Sequence, residues 1–166
     1  MGPLPDEDRI PVLISDTVTS GTIAPTYPVI QYGHVPGGGD AIGSGFLYGG
    51  RAIPMLRGKY VFTDISTGRI WYADYKQMLA ADDGDPRTMA ERQEIKIGWK
   101  GHVFETMFPI AEAAYHARGG RSAILPGRAL VSGEGRADAN LAVDAAGELY
   151  IFTKSDGMIR VLTSGR

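Results

Sequence analysis

Three histidines and one Arg-x-Asp stretch are the residues here best suited to chemistry. His34 follows Tyr32 and precedes the run Gly37-Gly38-Gly39, where a loop imidazole serves as base or ligand, or bonds to backbone at a sheet edge. His102 and His116 flank an apolar stretch and read as surface residues. Arg136-Ala137-Asp138 sets a guanidinium, which binds carboxylates bidentately, two residues from a carboxylate, a spacing that also suits a simple ion pair. Asp82, Asp83 and Asp85 offer oxygens to calcium, but without the ligand spacing and final Glu of an EF-hand they read as a solvated acidic turn. Asp64 and Asp74 bracket a β-rich run; paired carboxylates suit acid–base work, and strand-end aspartates cap turns. No Lys-Ser/Thr follows the glycine run, so it is not a phosphate loop. The chain has no cysteine, which excludes disulfides, thiolate metal sites and a cysteine nucleophile; no metal site is expected.

The elements that must position these residues are short strands. A hairpin signature occurs twice: Gly58-Lys59-Tyr60-Val61-Phe62-Thr63 running into Thr67-Gly68-Arg69-Ile70-Trp71, and Gly147-Glu148-Leu149-Tyr150-Ile151-Phe152-Thr153 running into Asp156-Gly157-Met158-Ile159. The copies lie about 90 residues apart, roughly twice the ~45-residue period of a four-stranded propeller blade. Tyr60, Phe62, Tyr150 and Phe152 fall at period two and read as packing between blades.

Composition agrees with an all-β domain. The 166 residues are 43% hydrophobic and 22% charged, enough to fold around a core, and 23 glycines with 10 prolines suit short strands and tight turns. A net charge of −2 gives no electrostatic case for nucleic acid, and no apolar run approaches the ~20 residues of a membrane span. The N-terminus lacks the basic and apolar regions of a signal peptide.

Read along the chain, residues 1–26 form an N-terminal tail or linker, with a short strand at 10–15 and a loop at 16–26. Residues 27–166 form a partial propeller: a strand at 27–32, a flexible turn at 35–40, and a strand at 42–48 whose glycines mark a bulge or close approach. The hairpin 59–64/69–74, a helical piece at 76–80 and an outer strand at 94–99 complete one blade. Val103, Phe104, Met107, Phe108, Ala111, Ala114 and Tyr115 recur at helical spacing, predicting a helical insertion over 102–118, within 100–126, kinked at Pro109. Strands at 139–143, 148–154 and 158–163 build most of a second blade. Two blades leave outer faces uncovered. The chain is then a piece of a longer protein, closes a ring with copies of itself, or covers one face with residues 1–41.

Tyr27-Pro28-Val29-Ile30-Gln31-Tyr32-Gly33-His34, the strand 41–48, Ile53-Pro54-Met55-Leu56-Arg57-Gly58-Lys59-Tyr60-Val61-Phe62-Thr63-Asp64, Gly68-Arg69-Ile70-Trp71 and Asp144 to Tyr150 together resemble the C-terminal portion of the glucose/sorbosone dehydrogenase-like, or soluble quinoprotein sugar dehydrogenase-like, propellers. The resemblance covers about residues 27–75 and 135–162. It implies about a third of a six-bladed propeller and a periplasmic or extracellular setting. It also implies oxidation of a sugar or alcohol with pyrroloquinoline quinone (PQQ) and calcium by the complete ring, whose base lies in an N-terminal part not matched here. Arg136 takes the place of the first of two cofactor-binding arginines, and Asp138 stands where the second would be. The sequence supports two functions: a module of such a dehydrogenase, inactive alone, or a non-catalytic propeller module that binds carbohydrate or a protein partner.

Overall fold

Strands that are apolar on both faces dominate the fold. The computed structural model describes residues 10–23 and 26–165. β1 (Ile10–Ser15) and β2 (Val18–Ile23) form a hairpin over Asp16-Thr17. β3 (Ile42–Leu47), β4 (Lys59–Asp64) and β5 (Ile70–Asp74) follow, then the short helix α1 (Tyr75–Ala81) and β6 (Arg92–Glu94). β3, β4, β5 and β6 make a four-stranded antiparallel meander in that order. β7 (Ile97–Trp99) and β8 (His102–Phe104) pair as a separate hairpin. Helix α2 (Phe108–Ala117) leads through the small ladder of β9 (Arg128–Ala129) and β10 (Gly133–Glu134) to a three-stranded meander, β11 (Ala139–Val143), β12 (Leu149–Thr153) and β13 (Met158–Val161). The chain is thus all-β with two short α-helices, and the described sheets do not close into a barrel or ring.

The two repeated hairpins share one turn. Gly68 donates its N–H to the Asp64 carbonyl at 3.1 Å, and Gly157 donates to the Thr153 carbonyl at 3.0 Å. Both glycines sit at φ +69°, a region that costs a side-chain-bearing residue about 1–2 kcal/mol. A turn carboxylate completes each: Asp64 Oδ1 accepts from Thr67 N at 2.7 Å, and Asp156 Oδ1 accepts from Met158 N at 3.0 Å.

The two meanders pack face to face. Val61 and Ile70 of the first join Leu141, Leu149 and Ile151 of the second in one buried cluster. Fully burying such side chains stabilises by about 1.5–3 kcal/mol each. Ser44 ties the sheets at their inner strands: its Oγ donates to the Leu141 carbonyl (3.0 Å) and accepts from the Leu141 N–H (2.6 Å). The β3 ladder shifts register between Ile42 and Gly45, as the strand glycines predict.

The other face of the first meander is covered by the chain itself. Tyr32 stacks on Trp71 at 4.9 Å, Trp71 meets Phe62 at 5.5 Å, and Arg92 donates from Nε to the Gln31 carbonyl. Residues 26–41 therefore seal that face.

Several expectations are corrected. Residues 18–23 are a strand, not loop: Val18, Thr19, Thr22 and Ile23 are β-branched and suit a ladder. Residues 27–32 cross the sheet without joining a ladder. The 35–40 turn is packed, with Gly38 and Gly39 buried. The 94–99 strand is two pieces, because β7 turns away to pair with β8 over Lys100-Gly101. Both turn residues have positive φ (49° and 78°), the signature of a tight hairpin loop. The 102–118 helix begins only at Phe108, and Pro109 opens it instead of kinking it, since a first-turn N–H has no intrahelical acceptor. Residues 1–9 of the expected tail lie outside the described residues.

Candidate functional site

Three carboxylates organise the ends of the sheet pair. Asp64 closes β4 and is fully buried. Its Oδ2 accepts from Asp40 N and Ala41 N, both at 2.7 Å, and from the Tyr32 hydroxyl at 3.2 Å; its Oδ1 accepts from Thr67 N (2.7 Å) and Thr67 Oγ1 (2.8 Å). Five donors replace the water a buried carboxylate loses. A Cβ on Gly39 would overlap the Asp64 carboxyl group, so glycine is required there. Burial, and then the Asp64 charge, push the Tyr32 hydroxyl above the ordinary tyrosine range, so it remains a donor. This site holds loops and presents no free oxygen to a substrate.

Asp74 caps α1, accepting from Lys76 N at 2.9 Å and from Lys59 Nζ at 2.6 Å. Asp64 and Asp74 thus both serve as turn and helix caps.

At the opposite end, Glu148 bridges the sheets. It accepts from the Tyr48 hydroxyl and the Arg51 N–H, both at 2.6 Å, and from Ala52 N at 3.1 Å. The Tyr48 hydrogen bond, with the Arg51 N–H next, holds its carboxyl below the usual glutamate range. A depressed folded value stabilises fully above the unfolded value, about 4.3, and is lost as pH falls through the folded one. We expect Glu148→Gln to lower the urea midpoint at neutral pH and the gap from the parent to narrow at about pH 3, where the parent also carries the protonated acid.

The candidate chemical residues do not converge. His34 is exposed and does not line the depression that Arg136 lines, so they are not brought into one cavity. His102 is exposed beside Phe104, and exposed His116 sets Nδ1 3.3 Å from the Gly120 carbonyl. Arg136 Nε lies 2.8 Å from Asp138 Oδ1 as an ion pair, yet its N–H points off that line, and the buried Nε donates no hydrogen bond. Asp138 adopts φ +48°, strained for a residue with a side chain. Asp83 and Asp85 accept backbone N–H groups of their own turn, at 2.8 and 2.9 Å. Among the described residues no three His, Asp or Glu side chains gather.

Arg136, Asp138, Asn140, Phe152, Lys154 and Ile159 line an open depression of about 620 Å³. It is the upper part of a larger surface, the face of the second meander turned away from the first. Cross-strand pairing sets Asn140, Phe152 and Ile159 in one row and Ala142, Tyr150 and Val161 in the next. Ile159 is 72% exposed and Val161 52%. No family model, curated protein or solved structure matches the chain. Two blades were expected to leave outer faces uncovered; what sequence reasoning did not single out is the face of β12 that stays bare. Its signal was present: Leu149-Tyr150-Ile151-Phe152 has no polar alternation, the pattern of a strand buried on both faces.

Proposed function

We propose that the chain is a non-catalytic piece of a β-propeller of the glucose/sorbosone dehydrogenase-like kind, which works by docking a further β-sheet of a protein partner on the open face of β11–β13. The supporting observation is β12: apolar on both sides, like β4 and β5, with Leu149 and Ile151 buried on one side but Tyr150 and Phe152 only half-buried on the other. In the first meander both such faces are filled, one by the second sheet and one by residues 26–41.

The dehydrogenase reading draws on Arg136, which stands where the resemblance puts a cofactor-binding arginine. The fit fails at its neighbour. Asp138 sits on the Arg136 guanidinium and would face the carboxylates of PQQ with like charge. The acidic turn at 82–85 is engaged with its own backbone and offers calcium no gathered ligand set. The residues present do not fit the quinone. The carbohydrate reading has Phe152 beside Asn140 and Lys154, an aromatic with polar neighbours, but on an open sheet face and not in a cleft.

Dye binding and melting curves test the proposal together. The dilute chain should enhance the fluorescence of an apolar dye such as anilinonaphthalene sulfonate, and Tyr150→Ser with Phe152→Ser should remove that signal while leaving the fold intact. PQQ with calcium, and a panel of neutral and acidic sugars, should leave the melting temperature unchanged. A rise at saturating quinone and calcium would restore the dehydrogenase reading, and a rise with a sugar would favour carbohydrate binding, because a ligand selective for the folded state stabilises it.

A further inference from the structure

We propose that the partner is a second copy of this chain, whose N-terminal hairpin adds strand β2 to the free edge of β13, so that chains join head to tail. The inference rests on the docking reading above, and joins the partner through the edge of the same sheet whose face that reading uses.

The first meander has four strands and the second has three, so among the described residues the position equivalent to β6 is empty beside β13. The free edge of β13 is competent to pair. Leu162 donates to the Leu149 carbonyl at 2.8 Å, so by antiparallel alternation Met158 and Arg160 turn inward, and Ile159 and Val161 turn their N–H and C=O groups outward. Such an edge is a template for another strand. The β1–β2 hairpin is the complementary piece. It pairs with itself and packs substantially on no other element among the described residues, and it exposes Leu13 (61%) and Val18 (48%). β2 carries no proline, whereas β1 carries Pro11, which lacks an N–H; β2 is therefore the donating strand.

Position decides between the same chain and a second one. Residues 26–41 run over the face of the first meander that points away from the second, fixed by the Tyr32–Trp71 stack and by Ala90 N–H donating to the Val29 carbonyl at 2.8 Å. Within one chain β1 and β2 pair only with each other and β13 pairs only with β12, so the hairpin and the β13 edge do not meet in the same copy. Donor and acceptor are different surfaces, so the contact is heterologous and propagates until a ring closes. Charge agrees. Exposed Asp16 lies on the hairpin, and exposed Asp82 and Asp83 lie on the loop that ends at Ala90. At the acceptor edge, Lys154 and Arg118, the latter against Met158 Sδ, have no carboxylate partner among the described residues.

Light scattering on the size-exclusion eluate tests this with the full chain. The parent should show a mass above one chain that falls on dilution. Val161→Pro, which removes an outward N–H at an edge that tolerates proline, and Ile159→Lys should each run as single chains with unchanged circular dichroism. Ser20→Pro, which puts a proline in the donor strand, should likewise give single chains. Mixing Ser20→Pro with Ile159→Lys should restore a complex that stops at two chains, since one keeps its acceptor and the other its donor. A single-chain mass for the parent at every concentration overturns the proposal, as does an assembly indifferent to Ser20→Pro or a mixture that forms no pair. None of these results alters the dye and melting measurements, which judge the docking face independently.

Discussion

Asp64→Ala should be among the most damaging single changes, lowering stability by about 3–5 kcal/mol. The alanine leaves the N–H groups of Asp40, Ala41 and Thr67 and the hydroxyls of Tyr32 and Thr67 without their acceptor, at a position with no exposure to water. Each stranded buried donor costs about 1–3 kcal/mol, less where a loop opens to admit solvent. For a chain of this size the melting temperature should fall by about 10 °C. Asp64→Asn keeps the shape but turns an amide N–H₂ toward groups that are themselves donors, so it should rank between parent and alanine. If Asp64→Ala melts within a degree or two of the parent, these bonds do not hold the 33–41 turn, and the account of the loop end is wrong.

Trp71→Ala should cost about 3–5 kcal/mol, the range for removing a large buried aromatic. Trp71 is enclosed between Tyr32 and Phe62, with the Arg92 guanidinium 5.3 Å from its ring centre. The loss should fall on more than the sheet. Residues 26–41 hold to the first meander largely through this stack, so the variant should be cut by protease within exposed residues 34–37 under conditions that spare the parent. Tyr32→Phe keeps the stack, loses only the bond to Asp64, and should show far less cutting. Equal cutting in both variants would mean that the stack does not seat the segment.

Much of the fold was legible because two devices are local. The 59–64/70–74 and 149–153/158–161 hairpins carry β-branched and aromatic runs broken by a glycine turn, and both signals lie within about a dozen residues. Asp74 ahead of α1 is likewise a short-range cap. What failed depended on distant partners or on an unusual turn. Lys100-Gly101 lacks the Asn-Gly signature, so β7 and β8 were merged with their neighbours. Val103 and Phe104 fell by chance on helical spacing while pairing as strand. Gly37-Gly38-Gly39 read as flexible because nothing nearby shows that Asp64, some 25 residues on, collects the turn's N–H groups. The site was less legible than the fold. His34 and Arg136 are suitable residue types, but only the tertiary arrangement shows them apart, with Asp138 already occupying the arginine. Uncovered outer faces follow from a count of two blades, but which one stays bare is visible only once residues 26–41 are seen on the first meander.

The two hydrogen bonds between Ser44 and Leu141 join strands 97 residues apart in sequence. The hairpins on either side close over loops of a few residues and form early, on the microsecond scale of local events. Docking one meander on the other must wait for the long loop to close, and folds dominated by such distant pairings fold slowly. During that interval β12 has neither face covered, and a four-residue apolar run stands open on a strand with a free neighbour edge. The chain's hazard is therefore kinetic: refolding yield should fall with protein concentration more steeply than the final stability of the sheets would suggest, and a slower synthesis rate would lengthen the time that β12 is at risk.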